Sequence, residues 1–275
     1  MLEIPEAVVV AEQINATIKG KRINEVVAAA SPHKFAWYYG EPAEYNALLR
    51  GRTLGCAYAY GGRIEIEAGD AALHFGDGAI LHYYDKDENL PAKHQLLISF
   101  DDGSALVGTV AMYGGLWAFP VGAMDDNIYY IAAKEAVPPL SERFDFDYFL
   151  SLFDEKSVKM SAKAFLATQQ RIPGLGNGVL QDILLNAKIH PKKKMSALSD
   201  AQKRGLFDTV KSTLSEMVAG GGRDTETDLF GNRGGYTTKL SKRNALSICP
   251  NCGGAVKKEN YMGGSIYYCE QCQQL

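Results

Sequence analysis

Over the first twenty positions the apolar residues Val10, Ile14 and Ile18 recur at helical spacing, with Pro5 suited to a first turn and Gly20 to a stop. A short amphipathic helix is predicted there. From about residue 21 to 120 the period shortens to two. Arg63-Ile-Glu-Ile-Glu67 alternates, and Leu96-Leu-Ile-Ser-Phe100, Asp-Asp-Gly, Ser104-Ala-Leu-Val107 has the form of a hairpin. These signals predict a β-rich unit, a sandwich or flattened barrel. Between residues 121 and 150 the pattern breaks into a polar connection containing Pro138-Pro139, where a domain boundary is placed. Helical spacing then returns in Lys163 to Thr168 and Val179 to Leu185. Ser199 and Gln202 form a capping-box pattern ahead of Leu206, Val210, Leu214 and Met217, and Gly220-Gly-Gly222 ends that helix. Arg223 to Tyr236 reads as a polar, Gly-rich loop of a composition suited to motion.

The chain has 275 residues, 46% of them hydrophobic and 22% charged, which predicts an ordered, soluble protein rather than a disordered one. No apolar run is long enough to cross a membrane, and the N-terminus carries neither a basic leader nor a cleavage signal, so a cytoplasmic location is expected. The net charge of −3 conceals a split. Residues 1 to 150 hold 11 Lys and Arg against 21 Asp and Glu, whereas residues 151 to 275 hold 18 against 11. The second half is suited to phosphates; the first repels them unless its carboxylates face away.

Four of the five cysteines fall in two C-x2-C knuckles, Cys249-Pro-Asn-Cys252 and Cys269-Glu-Gln-Cys272, with 16 residues between them. This spacing suits tetrahedral zinc on four thiolates, a structural site with no open position for water. Cys56, alone in a strand-like stretch, reads as a small buried hydrophobe. The five histidines show no ligand spacing. Lys192-Lys-Lys194 reads as a solvated charge run, with a phosphate patch as the alternative.

Arg171-Ile-Pro-Gly-Leu-Gly-Asn-Gly178 lies between two apolar helical segments, and a Gly-rich turn feeding a helix exposes backbone N–H groups that can take an anion. Taken alone it is a helix corner or a phosphate site. Together with Ile189-His-Pro191, the four-cysteine tail and the opening Glu3-Ile-Pro-Glu6, it resembles the helix-two-turn-helix proteins of the formamidopyrimidine-DNA glycosylase and endonuclease VIII family. The resemblance implies an α+β multidomain fold: an N-terminal helix plus β-sandwich over residues 1–130, a helical helix-two-turn-helix domain over 131–240, and a four-cysteine zinc finger over 241–275. It also implies a monomer that excises damaged bases from double-stranded or structured DNA. Such an enzyme flips the nucleotide out, attacks C1′ with an N-terminal amine to give a Schiff base, and cleaves the strand by β-elimination. Carried onto this chain, Leu2, Glu3 and Glu6 are the candidate catalytic residues, with Glu3 as acid and base at the sugar. Arg63, Tyr113, Lys163 and Asn177 are the candidate nucleic-acid contacts, and Cys249, Cys252, Cys269 and Cys272 the zinc ligands.

The chain departs from the family pattern at several of these places. Leu2 stands where the family has its nucleophilic proline, and a bulky second residue predicts retention of Met1, which moves the amine one residue from Glu3. Gly62 replaces a phosphate-binding lysine, with Arg63 the nearest cation, and Gly264 replaces a finger arginine. Asp77, Ala111 and Tyr113 stand where the family fills the gap left by the flipped base. Asp224, Glu226 and Asp228 lie in the loop that the family uses for base recognition. Three readings follow: an active glycosylase or lyase with altered lesion choice, a non-catalytic binder of structured nucleic acid, and a protein-interaction module.

Overall fold

A computed structural model describes residues 2–124, 127–243 and 248–275. The expected retention of Met1 concerns a position outside the described residues. Helix α1 (Ile4–Thr17) is followed by strands β1 (Ile23–Ala28) and β2 (Ala36–Trp37), a short helix α2 (Tyr45–Leu49), then β3 (Ala57–Tyr60), β4 (Arg63–Ala68), β5 (Ala71–Tyr84), β6 (Leu96–Phe100) and β7 (Ala105–Pro120). Helices α3 (Ile128–Glu135), α4 (Phe146–Ser151), α5 (Ala162–Ala167), α6 (Asn177–Asn186) and α7 (Asp200–Ala219) come next, and the hairpin β8 (Val256–Tyr261) and β9 (Gly264–Cys269) closes the chain.

The strands run in the order β1-β6-β7-β5-β4-β3, with β2 alongside β7. β5 and β7 are 14 and 16 residues long, and a break in their register between Asp77 and Ala79 divides both. β4 and β3 extend one half; β6 and β1 extend the other. The β-domain therefore has two parts that share their longest strands, and its interior is filled by residues such as Leu73, Phe75, Ile98 and Leu116.

α1 belongs to two cores at once. Ala7, Val10, Ile14 and Ile18 face the sheet, whereas Ile4 packs with Phe165, Leu175 and Val179 of the helical part. This placement fixes the N-terminal residues at the junction between the two. α7 begins as its pattern predicts, with Ser199 Oγ accepting from Gln202 N and Gln202 Oε1 accepting from Ser199 N.

The boundary expected at residue 130 falls inside α3, whose Tyr130 hydroxyl and Lys134 ammonium both donate to Glu65 on β4. A division after α3 keeps these bonds within one unit. Cys56 is half-buried rather than buried, at the entrance to β3, where its N–H donates to Glu67. Asp182, completely buried on α6, accepts from Lys239 N, Leu240 N and the Tyr236 hydroxyl, and so secures the segment leading to the finger. Among the described residues no helix is long and apolar enough to cross a membrane.

Candidate functional site

A cleft of about 330 Å³ opens between the sheet and the helical part, lined by Leu2, Glu3, Arg63, Asp77, Tyr113 and Asn177. Five of the seven residues expected to act on nucleic acid thus meet in one place. Glu6 lies behind them, and Lys163 lies to one side.

The Gly-rich turn does bind an anion, but the anion is the chain's own. Glu3 accepts hydrogen bonds from Gly178 N at 2.9 Å and Val179 N at 2.8 Å, at the N-terminus of α6 where the helix dipole favours negative charge. Of the two readings of this turn, a helix corner or a phosphate site, the two N–H groups at its end are already taken by that carboxylate. The glycines are required for it: a Cβ at Gly176 would stand 2.6 Å from Glu3 Oε1, and one at Gly178 would stand 1.8 Å from Arg223 Nη1. Burial raises the pKa of Glu3, against the pull of Arg223 and with the help of Glu6, which suits a group that exchanges a proton.

Arg223 is the site residue that the sequence pattern does not reveal. Its Nε and Nη2 donate to Glu6 Oε1 and Oε2 at 2.9 and 2.7 Å, and Nη1 lies 3.4 Å from Glu3 Oε2. All three side chains are buried. Two carboxylates three positions apart at the start of an apolar helix require a counter-charge, and that requirement was the available signal.

The rest of the loop is held rather than mobile. Leu229 is fully buried in the β-domain core, and Gln13 bonds both Leu229 N and Asp228. Asp224 accepts from Thr238 N and Oγ1, and Asp228 accepts from Phe230 N and Asn232 N. Two of the three loop acids therefore hold the loop's own backbone and neighbours; Glu226 faces a smaller opening of about 210 Å³ beside Leu2.

The missing lysine at position 62 has a steric cause. The β3–β4 turn docks on the Pro173–Gly174 turn, and a Cβ at Gly62 would stand 2.9 Å from the Leu2 carbonyl and 3.1 Å from Gly174 Cα. Arg63 is instead packed over the Trp117 ring, 5.5 Å from its centroid, with Nη2 3.9 Å from Asp77 Oδ2. Its Nη1 is buried without a hydrogen-bond partner among the described residues. Asp77, at φ +58°, accepts from Leu2 N at 2.9 Å through its backbone carbonyl. Its carboxylate, 3.9 Å from Arg63, offsets the charge of that cation at the cleft wall.

Lys163 and Asn177 meet the finger. Lys163 Nζ donates to Tyr261 O at 2.6 Å, and Asn177 Nδ2 donates to Ser265 O at 3.0 Å. A Cβ at Gly264 would lie 3.5 Å from Lys163 Nζ and 3.7 Å from Asn177 Nδ2, so the glycine sits beside both side chains. Burial lowers the pKa of Lys163. Tyr113, partly exposed, tilts against Trp37 with ring centroids 5.6 Å apart; Ala111 offers no ring. The four cysteine sulfurs lie within 4.8 Å of one another, with Cys249–Cys272 at 3.8 Å and Cys252–Cys269 at 3.4 Å. A tetrahedron with Zn–S bonds of about 2.3 Å has edges of about 3.8 Å, so the donor set fits one ion.

A sheet domain, a helical domain with a Gly-rich inter-helix turn and a cysteine hairpin, arranged around a cleft that contains the chain's first residues, define a helix-two-turn-helix finger protein. Residues 136–228 match the family model described as the formamidopyrimidine-DNA glycosylase H2TH domain. The formamidopyrimidine-DNA glycosylase of Cytobacillus firmus is 28% identical over 99% of this chain and 100% of its own length; that of Mycoplasma mobile is 29% identical over 70% of each. The fold is that of the Lactococcus lactis Fpg in complex with abasic-site DNA, with a TM-score of 0.83 at 23% identity over 99% of this chain and 100% of the other. The MutM (Fpg) protein from Thermus thermophilus matches with a TM-score of 0.81 at 22% identity over 98% of both chains. Residues 136–228 thus form an H2TH domain of the formamidopyrimidine-DNA glycosylase type, in a chain that is similar along nearly its whole length to glycosylases of that name and shares their fold.

Proposed function

We propose that this protein is a base-excision DNA glycosylase with abasic-site lyase activity, acting through its N-terminal amine on DNA held in the cleft. The observation that carries the proposal is the placement of Glu3. Its carboxylate is fixed by two backbone N–H groups and Arg223, immediately beside Leu2 and at the wall of the cleft. An α-amine has a pKa near 8 and so keeps a neutral, nucleophilic fraction at physiological pH. In the reaction the amine nitrogen bonds to C1′ as the bond to the base breaks, the amine's proton passing to the departing base; the C1′–O4′ bond then opens, O4′ taking a proton from Glu3, and the Schiff base is left at C1′. Glu3 then takes the C2′ proton and the 3′ phosphate leaves. Glu6 and Arg223 position Glu3 and the first turn of α1. Lys163 and Asn177, anchored on the finger, supply phosphate contacts, and Arg63 and Tyr113 act from the opposite wall. The cysteine cluster holds a structural zinc ion. The protein works as a monomer in the cytoplasm.

The test is borohydride trapping on abasic-site DNA, with intact-mass measurement to show which residue carries the amine. A covalent complex is expected from the native protein, reduced by about 100-fold or more in rate in Glu3→Gln. Absence of the complex in the native protein, with DNA binding retained, would establish the non-catalytic binder instead. That second reading is favoured by one observation, the carboxylate of Asp77 in a cleft whose position 62 carries no cation, with Gly264 beside Asn177 supplying none either. Asp77→Asn is therefore expected to tighten binding to abasic-site duplex several-fold and steepen its salt dependence, as Arg63 becomes available to phosphate. Titration at several salt concentrations checks this.

A further inference from the structure

A band of aromatic side chains lies outside the cleft and takes no part in the chemistry above. Phe35, Trp37 and Tyr39 alternate along the segment containing β2 and are 47%, 43% and 38% exposed. Contiguous exposure of large apolar side chains marks an interaction surface. β2 pairs with Gly114 and Gly115 of β7, and a Cβ at Gly115 would stand 2.9 Å from the Trp117 ring. The glycine thus lets the indole lie across bare backbone. Trp37, Tyr39 and Trp117 border an open depression of about 450 Å³. The band is continuous with the cleft, because Trp37 leans on Tyr113 and Tyr113 lines the cleft.

We propose that Phe35, Trp37 and Tyr113 form a stacking platform for unpaired nucleobases beside the cleft, so that the protein prefers DNA with a short unpaired segment next to its site. The inference rests on the reading of the protein as one that acts on DNA. Continuity with the cleft points to the same polymer rather than to a second partner. The surface is aromatic rather than aliphatic, and every base offers a π-face to such rings. The N-terminal half as a whole carries 21 acidic residues against 11 basic ones, and Lys34, with Nζ 5.3 Å from the Phe35 ring centroid, is engaged on that ring, which leaves stacking on neutral bases as the main attraction. The preference is consequently insensitive to salt.

The test uses the full-length, zinc-loaded protein and two duplexes carrying the same abasic-site analogue, one fully paired and one with a mismatch bubble beside the analogue. The chain has two tryptophans, so fluorescence quenching that disappears in Trp37→Phe is assigned to Trp37. The bubble duplex is expected to bind about tenfold more tightly than the paired one, with quenching of Trp37. Trp37→Ala should abolish the preference while keeping the affinity for paired duplex, and Trp37→Phe should retain most of it. Equal affinity for the two duplexes, a preference unchanged in Trp37→Ala, or one that fades with added salt overturns the platform but leaves the reading as a DNA-acting protein intact. No affinity of the native protein for either duplex overturns both.

Discussion

Arg223→Leu is expected to destabilise the folded protein by about 3–5 kcal/mol, the cost of leaving buried charge without its partner. The guanidinium is the counter-charge of both Glu3 and Glu6, and the two carboxylate residues are each 4% exposed. Leucine fills part of the volume but donates nothing, so Glu6 loses its paired donors at 2.9 and 2.7 Å. The deficit should depend on pH, with a sign that follows from Glu3. Burial already raises its folded pKa above the unfolded carboxylate value near 4.3, and removing Arg223 raises it further. Charging Glu3 then costs folding free energy. The cost is complete above the raised folded value, shrinks as pH falls through it, and is absent below the unfolded value. Denaturant titrations at pH 8 and pH 5 check this. An equal deficit at both would place the effect in packing alone. Activity should fall with stability still sufficient for folding, because the residue that positions Glu3 is gone.

Removing the metal is expected to have an effect at least as large on the C-terminal part. The finger's core is small, built from Leu185, Leu240, Cys249, Val256, Tyr267 and Cys269, so two of its buried side chains belong to the cysteine cluster proposed to hold zinc. Structural zinc in such a module supplies apparent binding free energy of about 10–16 kcal/mol, which is folding free energy for a hairpin that cannot bury enough apolar surface alone. Chelation, or Cys252→Ser, should therefore unfold β8 and β9 while α1 and the sheet persist. The consequence reaches the cleft, since Tyr261 O and Ser265 O anchor Lys163 and Asn177. Loss of zinc measured by mass spectrometry should accompany loss of DNA affinity. Zinc loss with affinity unchanged would exclude the finger from binding.

The register of α1, the β4 alternation, the β6–β7 hairpin, the capped start of α7 and both cysteine knuckles were legible because each depends on residues only a few positions apart. The sequence by itself determined these elements and brought Glu3, Asn177 and the cysteines forward as candidates. The remainder of the site depends on partners that no local pattern names. Arg223 and Glu6 are separated by 217 positions, and Leu229 enters a core made by strands far upstream. Gly62 looked like a lost cation until the turn beneath it was in place; the tertiary structure makes it a contact against the Leu2 carbonyl that tolerates no side chain. The Gly-rich turn looked open to phosphate until Glu3 filled it. In each case the side chain's own identity allowed several partners, and only the packing of α1 across two cores, which fixes the chain's first turn at the junction, selected one.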